Sequence, residues 1–295
     1  MTQTAQPGIL QPVPRVGRYL FFTLLPDGRA DQALQRLRAL VDGEQVVLGI
    51  AQSTLKALSV NVAEMRDFPV HSTAGIDIPS TPVSLWCWLR GEDRGDLLHL
   101  GRKVRSALSP DFAVSKTIDS FQYGESLDLT GYEDGTENPQ GDEAIEAAIY
   151  QGEVASLQGS SFVAVQQWVH NLDHFQSLSP VARDHVIGRH AEGNDEIEDA
   201  PESAHVKRTA QEDFDPEAFV LRRSMPWCEA QTEGLVFVAF GHSFDAFEAL
   251  LNRMLGYDDG VVDALFCFTR PITGNYFWCP PMRDGQLDLS VLEIQ

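Results

Sequence analysis

The first half of the chain alternates strand-like and helix-like hydrophobic patterns. Residues 19–25 (YLFFTLL) form an apolar run of strand length. The next stretch places apolar residues at Ala33, Leu34, Leu37 and Leu40, which is the spacing of an amphipathic helix. The patterns that follow predict a strand, a strand, a helix and a strand, at 45–51, 83–90, 96–108 and 112–121. The first half therefore has the order βαββαβ.

The same order recurs in the second half. The pattern predicts strands at 160–170, 220–227, 234–242 and 264–278, and helices within 178–190 and at 244–256. Two tandem βαββαβ units predict an α+β fold of two ferredoxin-like halves with packed antiparallel sheets. We expect an irregular arm rich in Pro and Gln at 1–15 and a first half at 16–130. A connecting segment at 131–158 then leads to a second half at 159–295.

Composition and charge narrow the class of protein. The 295 residues are 43% hydrophobic and carry a formal net charge of −21, so nucleic acid and anionic membranes are poor partners. No apolar run approaches the ~20 residues that span a bilayer, and no signal peptide is visible, so we expect a cytoplasmic protein. The acidic stretch 191–203 is typical of a solvated loop.

The four cysteines are scattered and form neither CxxC nor CxxCH. That spacing excludes the common zinc-ribbon and thioredoxin motifs and covalent c-type haem attachment. We expect reduced, buried thiols at each position, which are Cys87, Cys228, Cys267 and Cys279.

The sequence GYEDGTENP at 131–139 is either an ordinary acidic turn or the edge of an active site. Gly, Asp, Asn and Pro dominate turns because of their backbone preferences and local hydrogen bonds. A similar GYDDG occurs at 256–260. GYEDG follows the last predicted strand of the first half, whereas GYDDG precedes the last predicted strand of the second half. The two positions are not equivalent, so we attribute the likeness to chance.

The eight histidines form neither HExxH nor a tight ligand cluster. His170 and His174 have helical spacing, and His185 and His190 are nearly so spaced, but neither pair has an acid or Cys in a zinc-like arrangement. We expect both pairs to be structural or solvent-facing. His205 follows the long acidic loop, where it is either a satisfied polar residue or a single axial ligand.

The strand-like segment VLRRSMPW contains two adjacent arginines. Alternation puts Arg222 and Ser224 on one face and Arg223 on the other, so one arginine is directed inward. A buried arginine needs an anionic partner, which is either a structural carboxylate or an acid or anionic ligand of a functional site.

These residues together resemble a known family. GYEDGTENP is similar to the GxxDG motif of dye-decolourising peroxidases, in the DGTENP form of their compact bacterial members. SAHVKRT, VLRRSMPW and VVDALFCFTRPITGNYFWCPP then follow in the order of that family, so the resemblance extends from Tyr19 to Pro281. It implies one non-covalent haem b per chain, bound between sheet and helices. It also implies a peroxidase that reduces hydrogen peroxide to water and oxidises dyes and phenols by one-electron steps through a ferryl intermediate.

The resemblance also implies roles for single residues. Asp134 would be the distal acid that moves the peroxide proton, and Arg222 the distal arginine. His205 would be the proximal iron ligand, and Asp263 would accept a hydrogen bond from it. Ser224 stands beside Arg222 where many members carry Asn, so its contribution to the distal site stays open.

Two other classes of function are compatible with this fold. One is a haem- or porphyrin-handling protein, which binds haem or releases its iron with incidental peroxidase activity. The other is a haem-free interaction protein, which the combination of His205, Arg222 and Asp134 disfavours. We expect a homo-oligomer, as is usual in the family. We expect no encapsulin partner, because no linker with a terminal docking peptide follows Pro281.

Overall fold

The computed structural model describes residues 4–73 and 75–294. The strands are β1 Val16–Leu24, β2 Val46–Ile50, β3 His71–Thr73, β4 Ile76–Ile78, β5 Leu85–Gly91, β6 Phe112–Phe121, β7 Ser161–His170, β8 Leu221–Arg222, β9 Met225–Glu229, β10 Thr232–Gly241, β11 Thr269–Pro271, β12 Asn275–Cys279, β13 Met282–Arg283 and β14 Gln286–Leu287. The helices are α1 Pro7–Leu10, α2 Ala30–Arg38, α3 Gln52–Ala57, α4 Arg94–Leu108, α5 Gly141–Ala148, α6 Leu172–Ser177, α7 Pro180–Ile187, α8 His205–Arg208 and α9 Asp245–Met254.

The first half forms an antiparallel sheet in the order β2-β5-β1-β6. Leu34 and Leu37 on α2 and Leu97 and Val104 on α4 are buried against one face of this sheet. The apolar stripe of each helix thus packs directly on the strands, as the 3.6-residue period requires. This is the predicted ferredoxin-like unit.

The second half repeats the order, with its sheet running β12-β7-β10-β9. The second and fourth strands of this unit are interrupted, because β8 and β9 lie successively along β10, and β11 and β12 along β7. The last strand therefore starts later than predicted. The Asp263 side chain accepts a hydrogen bond from Leu265 N at 2.8 Å and caps a 3₁₀ turn at Ala264–Cys267, which replaces extended chain there.

The two sheets also join side by side into a closed antiparallel barrel. Strand β12 meets β2 at Trp278 and Ile50, and β6 meets β9 at Ser120 and Trp227. The prediction of two antiparallel ferredoxin-like sheets is confirmed, whereas the closure into a barrel is a feature that periodicity does not predict. Large aromatic side chains fill the barrel, among them Tyr19, Trp86 and Trp88, whose rings stack at 6.2–6.5 Å.

The N-terminal arm is tied to the barrel by side-chain hydrogen bonds. The buried Gln6 carboxamide donates to Leu48 O at 2.9 Å and accepts from Leu48 N at 2.8 Å. One helical turn, α1, follows Gln6 in a segment that we predicted to be irregular. Within the described ranges, no helix is long and apolar enough to cross a membrane.

Candidate active site

A cavity lies between the second sheet and the helices α8 and α9. The volume of this cavity is about 230 Å³. Its apolar walls come from β10, from α9 and from the 3₁₀ turn that precedes β11, and comprise Leu235, Phe237, Phe247, Leu250, Leu251, Met254, Leu265 and Phe268. The segment GYEDGTENP also lines the cavity, through Tyr132, Glu133, Asp134, Thr136 and Glu137. Such walls favour a largely apolar ligand.

The turn around Asp134 directs its carboxylate into this cavity. Gly131 and Gly135 both have left-handed backbones, with φ of 90° and 84°, and Asp134 N donates to Ser126 O at 2.8 Å. Arg222 Nη1 lies 3.6 Å from Asp134 Oδ1. Burial raises the pKa of Asp134, and the positive charge of Arg222 opposes that rise without cancelling it. The pair is therefore an acid poised to hold a proton beside a fixed cation.

His205 lines the same cavity from the first position of α8. Its Nδ1 lies 2.7 Å from Oδ2 of Asp263, whose side chain is fully buried. The other carboxylate oxygen, Oδ1, accepts from Leu265 N. Because Oδ2 is a hydrogen-bond acceptor, the neutral imidazole carries its proton on Nδ1 and keeps the lone pair of Nε2 for a ligand.

Helix α8 is held in place by a second aspartate turn. Arg208, which is buried, donates from Nη1 and Nη2 to the two oxygens of Asp259, each at 2.8 Å. Asp259 belongs to GYDDG, where Gly256 and Gly260 have φ of 71° and 80°. GYDDG and GYEDG thus share left-handed glycines at both ends, and the second acid of each, Asp259 and Asp134, lies beside an arginine.

The arginines of VLRRSMPW point in opposite directions. Arg222 lines the cavity, whereas Arg223 donates from Nη2 to Leu10 O at 2.7 Å and from Nε to Ile9 O at 3.2 Å. Burial, with the nearby charge of Arg90, lowers the pKa of Arg223 to about 10. The inward arginine that the sequence predicts therefore has carbonyl oxygens at the end of α1 as partners, and among the described residues no carboxylate bonds to it.

Ser224 does not join the other predicted residues. It is absent from the cavity lining, and its hydroxyl accepts from Val238 N at 3.3 Å. The hydroxyl thus replaces a sheet hydrogen bond where the strand is interrupted between β8 and β9. The structure brings together Asp134, Arg222 and His205, with Asp263 behind His205.

A buried pair that the sequence did not single out completes the polar lining. His170 Nε2 lies 3.1 Å from Asp128 Oδ1, and its Nδ1 lies 2.7 Å from Thr269 Oγ1. Burial works to raise the pKa of Asp128, but the hydrogen bonds from His170 and Thr130 outweigh it and lower the pKa. His170 was expected to be structural or solvent-facing, and it lies in the cavity wall. The charge on Asp128 contributes to the raised pKa of Asp134.

The acidic loop after His190 also contacts the active-site turn. Asn194 Nδ2 donates to Glu133 Oε2 and to Thr136 Oγ1, each at 2.9 Å. Arg189, at the base of the loop, donates to Glu137 Oε1 at 2.5 Å. The loop 191–203 is largely exposed, as predicted, and contacts GYEDGTENP through Asn194.

The chain is similar to known peroxidases over most of its length. The family model "Dyp-type peroxidase, C-terminal" matches residues 125–284. The dye-decolorizing peroxidase of Mycobacterium tuberculosis is 28% identical, with 92% of this chain and 87% of that protein covered. The one from Rhodococcus erythropolis is also 28% identical, with 92% and 85% covered.

Solved structures show the same likeness in three dimensions. The dye-decolorizing protein from V. cholerae matches with a TM-score of 0.86 and 27% identity, over 100% of both chains. A DypB variant from Rhodococcus jostii, solved in complex with heme, matches with a TM-score of 0.87 and 25% identity, over 95% of this chain and 98% of that one. Since the matched family model spans more than half of the chain, this protein belongs to the Dyp-type peroxidase family and is a peroxidase.

Proposed function

We propose that this peroxidase holds one non-covalent haem b in the cavity, reduces hydrogen peroxide to water, and oxidises aromatic donors such as dyes and phenols by one-electron steps. The observation that carries the proposal is the composition of the cavity. His205, backed by Asp263, and the pair Asp134–Arg222 all line or support the same apolar-walled space.

The residues present fit a haem group. A neutral imidazole with a free Nε2 is the ligand that haem iron takes in most peroxidases. The walls contributed by Phe237, Phe247 and Leu250 offer apolar surface to a macrocycle. The R. jostii relative in complex with heme supports the same assignment.

The distal pair can move the peroxide proton. Haem held by His205 would supply the two electrons that cleavage of the O–O bond consumes. Asp134, when ionised, would take the proton from the peroxide oxygen nearer to the haem iron and return it to the other oxygen, so that water leaves in place of hydroxide. Arg222 stabilises the negative charge that develops on the departing oxygen.

The raised pKa of Asp134 determines the pH below which the peroxidase reaction slows. Below that pKa the carboxyl is already protonated and cannot accept the peroxide proton, so the reaction slows as the pH falls. Asp263, which contacts His205, keeps the imidazole proton on Nδ1 and makes Nε2 a stronger donor.

A haem-handling role is less well supported. Binding or transfer of haem requires a ligand such as His205 but has no use for an acid paired with a cation opposite that ligand. The family of the chain also favours peroxidase activity. We further propose a homo-oligomeric, cytoplasmic protein, which size-exclusion chromatography and cell fractionation would test.

The proposed cofactor can be tested by spectroscopy. Protein purified with adequate haem supply should show a Soret band that changes on addition of one equivalent of hydrogen peroxide. His205→Ala should lose the spectrum of histidine-ligated haem, whereas His174→Ala, at an exposed position, should keep it. Absence of haem binding, or an unchanged histidine-ligated spectrum in His205→Ala, would refute the assignment.

A further inference from the structure

The Asn138 carboxamide makes two hydrogen bonds to the main chain of Arg222. Its Oδ1 accepts from Arg222 N at 2.8 Å, and its Nδ2 donates to Arg222 O at 3.1 Å. The two residues are 84 positions apart in the sequence. A carboxamide can make this paired contact because it has a donor and an acceptor side by side.

The main chain of Arg222 needs such a partner because of its place in the sheet. Strand β8 pairs with β10, where Arg222 lies opposite Ala239. The next residue, Arg223, donates its N–H to Val238 O at 2.8 Å, so the N–H and C=O of Arg222 face away from β10. In the described part of the chain, β8 has no second strand partner. Asn138 supplies the pairing for the N–H, which would be costly to leave unpaired, and it shares the C=O with Arg223 Nη1, which donates to Arg222 O at 3.1 Å.

The active-site turn is shaped to admit this side chain. Asn138 N donates to Gly135 O at 3.0 Å, which closes a turn between the two residues. A Cβ atom on Gly135 would lie 2.7 Å from Asn138 Nδ2, closer than such contacts normally come. Gly135 therefore provides space for the carboxamide, in addition to its left-handed backbone.

We propose that Asn138 is a positioning residue that fixes Arg222 relative to Asp134. One short turn carries Asp134 at its start and holds the main chain of Arg222 at its end. The separation of 3.6 Å between Arg222 Nη1 and Asp134 Oδ1 is thereby set by hydrogen bonds that involve neither peroxide nor haem. The inference rests on the proposed function, because the Asp134–Arg222 separation affects the reaction only if this pair handles peroxide.

The consequence of the contact is electrostatic. The groups that face Asp134 are Arg222 on β8, Asp128 in the same connecting segment and His205 on α8, while Glu137 and Arg189 line the cavity as an ion pair. Arg222 is the cation that opposes the effect of burial. If Arg222 is free to move away, Asp134 should retain its proton to higher pH.

The experiment compares Asn138→Ala with the parent protein in the haem-loaded form. The first measurement is the rate of the spectral change after mixing with hydrogen peroxide, as a function of pH. The second is the affinity for fluoride, an anion whose binding beside Asp134 is favoured when that carboxyl is neutral and which requires no turnover. Each measurement should show a transition at the pH where Asp134 takes up its proton. In Asn138→Ala both transitions should lie about half a unit to one unit higher in pH, so the peroxide reaction at pH values below the transition should be ~3–10-fold slower than in the parent.

Asn194→Gly is the matched control. It also removes an asparagine with two hydrogen bonds to the same turn, but neither of them reaches Arg222, and glycine suits its φ of 57°. This variant should keep both transitions at the parent pH. An equal shift in Asn194→Gly would overturn the proposal, because any loosening of the turn would then suffice.

A double-mutant cycle separates positioning from a general structural role. In an Arg222→Leu background, Asn138→Ala should cause no further shift, since the cation on which it acts is missing. A shift of the same size in that background, or none in Asn138→Ala alone, would contradict the proposal. Asn138→Ser, which is uncharged and too short to make the paired contact, serves if the alanine variant does not fold, and it should shift both transitions in the same direction. Failure of the parent to bind haem would refute the proposed function instead.

Discussion

The most direct test of the proximal site is the substitution Asp263→Asn, which keeps shape and volume. Asp263 accepts two hydrogen bonds, from Leu265 N at 2.8 Å and from His205 Nδ1 at 2.7 Å. An asparagine that keeps its oxygen on Leu265 N presents its NH₂ group to His205. Nδ1 must then act as the acceptor, so the imidazole proton moves to Nε2, where it blocks the lone pair needed by iron.

The magnitude follows from the lost contact. A hydrogen bond to a charged group contributes about 1.5–3 kcal/mol when its partner is removed. At ~1.4 kcal/mol for each factor of ten, this corresponds to a roughly 10–150-fold loss of haem affinity. The upper part of that range applies best here, because the Asp263 side chain is fully buried and water cannot replace it.

Haem titration of the haem-free protein, followed at the Soret band, measures this loss. The control is Asp93→Asn, the same substitution at an acid that caps α4 through Gly95 N and Asp96 N and contacts no histidine. We expect parent affinity in the control. Parent affinity and an unchanged histidine-ligated spectrum in Asp263→Asn would show that the tautomer of His205 is set by something other than Asp263.

Two further predictions concern stability. The folded-state pKa of Asp134 is raised, so its contribution to folding is fully present below its unfolded pKa and is lost as the pH rises through the folded pKa. In the haem-free protein, the melting temperature of Asp134→Asn should therefore rise relative to that of the parent as the pH increases. A difference in melting temperature that does not change with pH would contradict the raised pKa. Arg223→Met should remove the two hydrogen bonds to the carbonyls at the end of α1, loosen the N-terminal arm and speed its proteolysis, whereas Arg15→Met, at an exposed position, should not; equal cleavage rates in the two variants would count against the anchoring role of Arg223.

The sequence predicts the order of elements well because each one has a clear period. Strand β6 is predicted with its observed bounds, and α4 within two residues at its start. The last strand is predicted too long, since a side-chain cap from Asp263 overrides the extended pattern. Barrel closure is not predictable from periodicity, because it depends on long-range contacts such as that between Trp278 and Ile50.

The resemblance of the sequence motifs to a known family identifies the ionisable residues of the site. Asp134, His205 and Arg222 line the cavity as expected. The alternation that places Ser224 beside Arg222 does not hold, because β8 ends at Arg222 and the strand resumes only at β9. Asn138 escapes notice for a different reason: an asparagine in a turn already has a local explanation, and its partner lies far along the sequence.

The closed barrel has a consequence for how copies of this protein can associate. An open sheet exposes the unpaired N–H and C=O groups of its outer strands, onto which another chain can add a strand. Here the outer strands β2, β6, β9 and β12 of the two sheets meet in pairs, at Trp278 with Ile50 and at Ser120 with Trp227, so each junction covers part of an edge that an isolated unit would expose. A partly unfolded state that separates the halves would break both junctions and expose the edges of all four strands at once.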